Sequence, residues 1–192
     1  MSQSYPISDE ELVKKFTVGD INAFEALVVR YQKSIVNFIY RMIGNFQEAE
    51  DLAQETFIKV YQFAHTYEGR SSFATWLFGI ASNLCYDNLR AKSHWDCIFI
   101  DEKKEAIREQ LLGESAIPSP QKAAEDSELA DLIETAIGKL PVQQRQAIVL
   151  REYYGFSYSE IAEVAKCSVA AVKSRIHKAK LQLRKELRFL LD

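Results

Sequence analysis

Two groups of side chains in this sequence are placed to do chemistry. The first lies in 49-AEDLAQETFIKVYQ-62, where Asp51 and Glu55 stand one helical turn apart with Gln54 beside them. Carboxylates at that spacing share a helix face, and such a pair can serve general acid–base chemistry or hold a metal. However, no His, Cys or third acid sits at ligand spacing on a plausible partner helix. The expectation is therefore no catalytic residue, no metal site, no cofactor and no enzyme. What remains is an acidic face, either solvated or used for docking a partner. Cys85, Cys97 and Cys167, at spacings of 12 and 70, match no zinc pattern and read as reduced thiols of a cytoplasmic protein.

The second group is 168-SVAAVKSRIHKAKLQLRK-185, with six Lys or Arg and no acid, in a chain whose net charge is −3. Upstream of it, Ser157 and Glu160 fit a capping box that starts one helix, which stops near Lys166-Cys167; Ser168 can cap another at once. Two helices joined by so short a turn cross steeply, as in a helix-turn-helix. In the second helix Val169, Val172, Ile176, Leu183 and Leu187 fall within about 60° of one another and form its buried side. Ala170, Ser174 and Lys178 then point outward, flanked by Lys173 and His177 on one side and Arg175 on the other. A slim, basic N-terminal half of this kind suits a helix entering the major groove. Surface helices usually carry charges of mixed sign, and this one does not.

A third stretch, 73-FATWLFGIASNLCYDNLR-90, puts Phe73, Trp76, Leu77, Ile80 and Leu84 on one helix face as core. Thr75, Phe78, Ser82 and Tyr86 fall on the opposite half, with Asn83 near the boundary and Tyr67 and Arg70 in the preceding loop. Aromatic faces with amides and hydroxyls suit unpaired bases, which stack for about 1–3 kcal/mol each.

The elements that must position these groups are all helical. Gly (7) and Pro (4) are scarce among 192 residues, and 47% of the chain is hydrophobic, which favours packed helices over a turn-rich β architecture. Helical periodicity marks a first helix from Ser8, a second over about 22–43 ended by Gly44-Asn45, a third over about 47–64 and a fourth over about 72–92. From Ser93 to Ser127 the pattern decays into 113-GESAIPSPQKAAEDS-127, apart from a short helix around 102–112, and from Glu128 it returns. Residues 1–92 carry 9 basic and 11 acidic side chains, 93–127 carry 4 and 8, and 128–192 carry 11 and 8. The organisation is thus an all-α chain with an N-terminal helical bundle (1–92), an acidic flexible linker (93–127) and a basic C-terminal module (128–192). Neither an apolar leader nor a run of ~18 apolar residues is present, so no secretory signal and no membrane insertion are expected.

From Asp20 to Leu187 the sequence resembles bacterial RNA polymerase sigma factors of the extracytoplasmic-function (ECF) type. The likeness rests on 19-GDINAFEALVVRYQ-32, 49-AEDLAQETF-57, 72-SFATWLFGIASN-83, 139-KLPVQQRQAIVL-150 and 157-SYSEIAEVAKCSVAAVKSRIHKAK-180, in that order. It implies a sigma region 2 domain in the N-terminal bundle and a sigma region 4 domain at the C-terminus. Asp51, Gln54 and Glu55 then match positions that dock on the clamp of core RNA polymerase. The segment 65–83 matches the part that captures an unpaired base of the −10 element, and Asn83 a position reading its upstream edge. By the same likeness the helix-turn-helix, with Lys173, Ser174, Arg175, His177 and Lys178, reads the −35 duplex, while the first helices of its module grip the polymerase flap. Partners implied are core polymerase, promoter DNA and an anti-sigma protein. Two departures stand out: Gly79, where the family often has Arg or Lys, and Ala170-Ala171, where it commonly has Gly-Thr.

Two other readings fit parts of the sequence. A stand-alone helix-turn-helix regulator would use its bundle to dimerise or sense a signal, with Phe78 and Tyr86 forming an interface. A helical adaptor would dock its basic helix on an acidic protein, although the tight turn and the small residues at 170–171 argue against it.

Overall fold

The computed structural model describes residues 7–93 and 120–188, the side chains of 93 and 120–128 excepted. Among the described residues the regular elements are helices. The N-terminal module contains α1 (Asp9–Thr17), α2 (Ile21–Ile43), α3 (Phe46–Phe63), a 3-10 turn (Ala64–Thr66) and α4 (Phe73–Ser93). The C-terminal module contains α5 (Pro120–Gly138), α6 (Val142–Tyr154), α7 (Tyr158–Val164) and α8 (Val169–Glu186).

Local chemistry sets these boundaries. The Ser8 hydroxyl accepts from the Glu11 N–H at 3.2 Å and starts α1. At the end of α2, Gly44 takes a left-handed φ of 78° and donates to the Tyr40 carbonyl, while Asn45 caps α3 by accepting from the Glu48 N–H, so one glycine and one amide turn the chain sharply. Helix α5 begins at Pro120, eight residues before the expected return of helical pattern at Glu128. Proline fits a first helical turn, where its missing N–H has no intrahelical partner to lose. The expected short helix at 102–112 lies outside the described residues.

The bundle core is built from Leu27, Ile35, Phe38, Ile39 and Met42 of α2, Ala49, Phe57 and Val60 of α3, and Phe73 and Leu77 of α4, all buried. Tyr61, expected in the α3 stripe, is half in solvent and sets its ring against Phe16 and Phe24. The second core joins Leu140, Val149 and Leu150 to Ile161, Val172, Ile176 and Ala179. Val169, expected on the buried side of α8, is 40% exposed, because at the first helical position it overhangs the turn rather than the core.

The modules also pack on each other: α4 lies against α7, and α2 against α5 and α6. This overturns the expectation that Thr75, Phe78, Ser82 and Tyr86 form an outward face of α4. Thr75, Phe78 and Ser82 are buried at 1%, 2% and 1% exposure, and Tyr86 is half-buried. Phe78 sits among Phe38 (5.1 Å between centroids), Tyr154 (4.8 Å) and Phe156 (5.2 Å). Helical periodicity separates the two faces of α4 but not the partners that cover them, and the C-terminal module covers the second.

Candidate nucleic-acid interface

The basic helix α8 is set by the turn before it. Helix α7 carries the full capping box: Ser157 Oγ accepts from the Glu160 N–H at 3.2 Å, and Glu160 Oε2 accepts from the Ser157 N–H at 2.8 Å. The Ser157 hydroxyl, which also donates to Glu160 Oε2 at 2.6 Å, and then the Ser157 N–H hold the Glu160 carboxyl below its ordinary value. The helix ends at Val164, and the turn after it passes through Lys166, whose φ of 47° is left-handed. That conformation is costly for a side chain with a Cβ, and here it is held by the Cys167 N–H donating to the Ala162 carbonyl at 2.9 Å. Ser168 then caps α8 by accepting from the Ala171 N–H at 3.2 Å. A four-residue turn, Ala165–Ser168, therefore fixes α8 against α7.

On α8, Val172, Ile176 and Ala179 are buried, while Ala170, Lys173, Ser174, His177 and Lys178 are exposed. Arg175 is half-buried and its Nη1 donates to Cys167 Sγ at 3.3 Å, which ties the base of this side chain's swing to the turn. Lys180 is drawn to Glu152 at 2.9 Å. The five predicted reading residues thus occupy one side of one helix, with no carboxylate among them.

On the bundle, Asp51, Gln54 and Glu55 are all exposed on α3. Glu55 pairs with Lys59 at 3.5 Å. Gln54 borders a groove of about 610 Å³ between α2 and α3, lined by apolar side chains including Val28, Phe57 and Ile58. Gln54 and Glu50 belong to both this face and the groove, so polar and apolar area meet there.

The five residues expected to meet single-stranded DNA separate into two surfaces. Tyr67, Arg70 and Asn83 belong to one. The Tyr67 hydroxyl donates to the Ser71 carbonyl at 2.7 Å and its ring packs on Trp76 at 5.4 Å; burial, then Glu10 and Asp9, raise its pKa. Trp76 and Asn83 line a cleft of about 340 Å³ with Phe63, Lys59 and Asp87. Arg70 is extended into solvent beside Glu68. Phe78 and Tyr86 lie on the other surface, against the C-terminal module. The Tyr86 hydroxyl donates to Gln146 Oε1 at 3.0 Å, and burial raises its pKa despite the opposing charge of Arg175.

Sequence reasoning passed over the residues of that contact. Gln146 is fully buried. Tyr154 donates to the Ser34 carbonyl at 3.0 Å. Arg41 pairs with Glu134 at 2.8 Å and lies over the Tyr153 ring at 4.0 Å. Arg145 donates to the carbonyls of Met42, Gly138 and Leu140, placing a cation at the C-terminal ends of α2 and α5, where helix dipoles favour one. The one available signal was an excess of aromatics, Phe78, Tyr86, Tyr153 and Tyr154, at positions no single-module core requires. Gly79 has open space around a notional Cβ, so nothing in the packing demands glycine there.

A capped, tightly turned helix pair with an acid-free exposed face, joined to a helical module with an apolar groove, has the form of a helix-turn-helix protein. The comparisons with known proteins make this specific. Residues 27–94 match the family model for Sigma-70 region 2, and residues 130–183 match that for Sigma-70, region 4. The chain is 38% identical over 188 residues to the RNA polymerase sigma-H factor of Pseudomonas aeruginosa, covering 95% of both chains. It is 36% identical to the ECF RNA polymerase sigma factor SigW of Bacillus subtilis, covering 93% of this chain and 96% of that one. The solved structure of CnrH in complex with the cytosolic domain of CnrY superposes with a TM-score of 0.69 at 26% identity, over 94% of this chain and 97% of that one. The chain belongs to the sigma-70 family and, within it, to the ECF sigma factors. It is a non-catalytic specificity subunit that directs RNA polymerase to promoters.

Proposed function

We propose that the two modules divide promoter recognition as their surfaces divide charge. The C-terminal module reads the −35 duplex with Lys173, Ser174, Arg175, His177 and Lys178, and it also engages the polymerase flap. The N-terminal module docks on the polymerase clamp through Asp51, Gln54 and Glu55 and holds melted −10 DNA with Tyr67, Arg70 and Asn83. The observation that carries this reading is the exposed, acid-free side of α8 held in place by the Ser157 and Ser168 caps. A flat basic surface would give affinity without register; a helix pinned by its turn gives both. The assigned domains are 1–92, 93–127 as tether and 128–192, and the site of action is the cytoplasm. CnrH was solved with the cytosolic domain of CnrY, and by that likeness an anti-sigma protein binds this chain too.

Run-off transcription with core RNA polymerase and a promoter library tests the proposal. Transcripts should start from a subset sharing two elements, and Lys173→Ala with Arg175→Ala should reduce them through the upstream element. Transcription independent of this chain, or selection of one palindromic element bound without polymerase, would support a stand-alone regulator instead.

A further inference from the structure

We infer that Asp9 is a positioning residue for the loop that captures an unpaired −10 base: its carboxylate fixes the ring of Tyr31, and through Phe73 that ring sets Tyr67. The inference rests on the assignment of Tyr67 and Arg70 to −10 DNA proposed above. It gives α1, which carries none of the assigned DNA-contacting residues, a part in promoter selectivity.

Asp9 is the first residue of α1, where a helix N-terminus favours a carboxylate. Its two oxygens take different partners. Oδ1 accepts from Arg30 Nη1 and Oδ2 from the Tyr31 hydroxyl. Arg30 and Tyr31 are consecutive on α2, so their side chains leave the helix about 100° apart. The Arg30 limb returns to the start of α1, where Nη2 donates to the Ile7 carbonyl at 2.9 Å. The Tyr31 limb leads inward. Its ring meets Phe73 edge-on at 5.6 Å, and Phe73 meets Tyr67 edge-on at 6.0 Å. The chain of rings ends in the loop itself, where Tyr67 packs on Trp76 at 5.4 Å and its hydroxyl donates to the Ser71 carbonyl at 2.7 Å. Burial, and then the bond to Asp9, raise the Tyr31 pKa, so the phenol stays a donor.

Helix α1 does not need this cluster to dock. Leu12, Val13 and Phe16 are buried, and Phe16 stacks on Phe24 at 4.9 Å. The Asp9 side chain is only 18% exposed, and removing a carboxylate from water offsets much of what pairing returns. What the carboxylate does supply is direction. A ring held at its hydroxyl as well as at its Cβ keeps one tilt, and the ring packed against it follows. The loop depends on such inner contacts, because Glu68, Gly69 and Arg70 at its tip are all exposed. A loop already in its binding shape does not have to be ordered by the base it receives.

The test uses holoenzyme assembled from this chain and core RNA polymerase. The probe is a pool of single-stranded oligonucleotides with a randomised central segment, sequenced after capture. Tyr67→Ala and Asn83→Ala identify the position that each residue reads. Asp9→Ala and Tyr31→Phe should lower base preference at the Tyr67 position by about three- to ten-fold, since apparent affinity falls with the fraction of chains whose loop is in place. Both should leave preference at the Asn83 position unchanged. Arg30→Ala removes the other limb and should leave both preferences unchanged. In chains that also carry Trp95→Phe, Trp76 emission should shift to the red in Asp9→Ala and Tyr31→Phe but not in Arg30→Ala. Equal losses at both positions, or an Arg30→Ala chain that behaves like Tyr31→Phe, would reduce the cluster to a dock for α1 and overturn the inference. Unaltered preference at the Tyr67 position, or unaltered Trp76 emission, in Asp9→Ala and Tyr31→Phe would overturn it too. Tyr67→Ala without effect at any position would instead overturn the base-capturing reading, and the inference with it.

Discussion

Ser157→Ala isolates how much of the reading helix's placement rests on one hydroxyl. Helix α7 has seven residues, so the four N–H groups its first turn leaves without intrahelical partners are most of its length. Ser157 Oγ accepts from the Glu160 N–H at 3.2 Å and donates to Glu160 Oε2 at 2.6 Å, and alanine removes both bonds. The reciprocal bond from the Ser157 N–H to Glu160 Oε2, at 2.8 Å, survives the substitution. Removing an N-cap costs about 1 kcal/mol, up to ~2 in well-ordered proteins, and the second bond puts this site in the upper half of that range. In urea, with a slope of about 1–3 kcal/mol per molar, the midpoint should fall by roughly 0.5–1 M with the slope unchanged. The pH dependence has a definite sign. The Glu160 carboxyl is held down in the folded chain, chiefly by Ser157, so its contribution is complete above the ordinary carboxylate pKa and disappears as pH falls through the lowered folded value. The gap between wild type and variant should therefore narrow as pH falls below about 4.5. An unchanged midpoint at neutral pH, or a gap that widens in acid, would refute the cap as the element that sets α7.

Three further outcomes follow from the geometry. Alanine at Lys173, Arg175 or Lys178 should flatten the dependence of log K on log salt for −35 duplex binding by about 0.9 for each phosphate the variant no longer neutralises, measured by anisotropy with the holoenzyme; an unchanged slope in all three would remove these residues from the interface. Asp51→Ala with Glu55→Ala should weaken capture of core polymerase in a pull-down while leaving stability within about 0.5 kcal/mol, since both side chains are exposed and exposed substitutions are usually that mild. Gly79→Ala should stabilise the chain by about 1 kcal/mol in thermal unfolding, because α4 is helical there, a Cβ meets nothing within 4 Å, and glycine is the weaker helix former.

Much of this molecule can be read from residue spacing because its local chemistry agrees with its fold. The capping residues Ser8, Asn45, Ser157 and Ser168 each accept the backbone bond their position implies, and the helix boundaries in the bundle fall within a residue or two of the periodic pattern. The basic and acidic faces are legible for the same reason: once a helix is phased by its buried side, its exposed side is fixed. Val169 is misassigned by spacing because periodicity continues past the point where the core ends. The start of α5 is hidden because Pro120 and the neighbouring charges read as linker, although proline is well suited to a first turn.

The contact between modules is illegible for a different reason. A helix pattern says which side is covered, and for α4 it shows two candidate sides with no means of naming what covers the second. On α6 the run Gln143-Gln144-Arg145-Gln146 reads as a wet surface, yet Gln146 is fully buried and Arg145 spans three carbonyls. The contact carries aromatics that pack on each other, such as Phe78 and Tyr154, beside amides with buried atoms, such as Gln144 and Gln146. In sequence that mixture looks like a solvent-facing helix with a few aromatics too many. The excess aromatics are therefore the informative residues: they mark the sides of α4 and α6 that the two modules bury against each other.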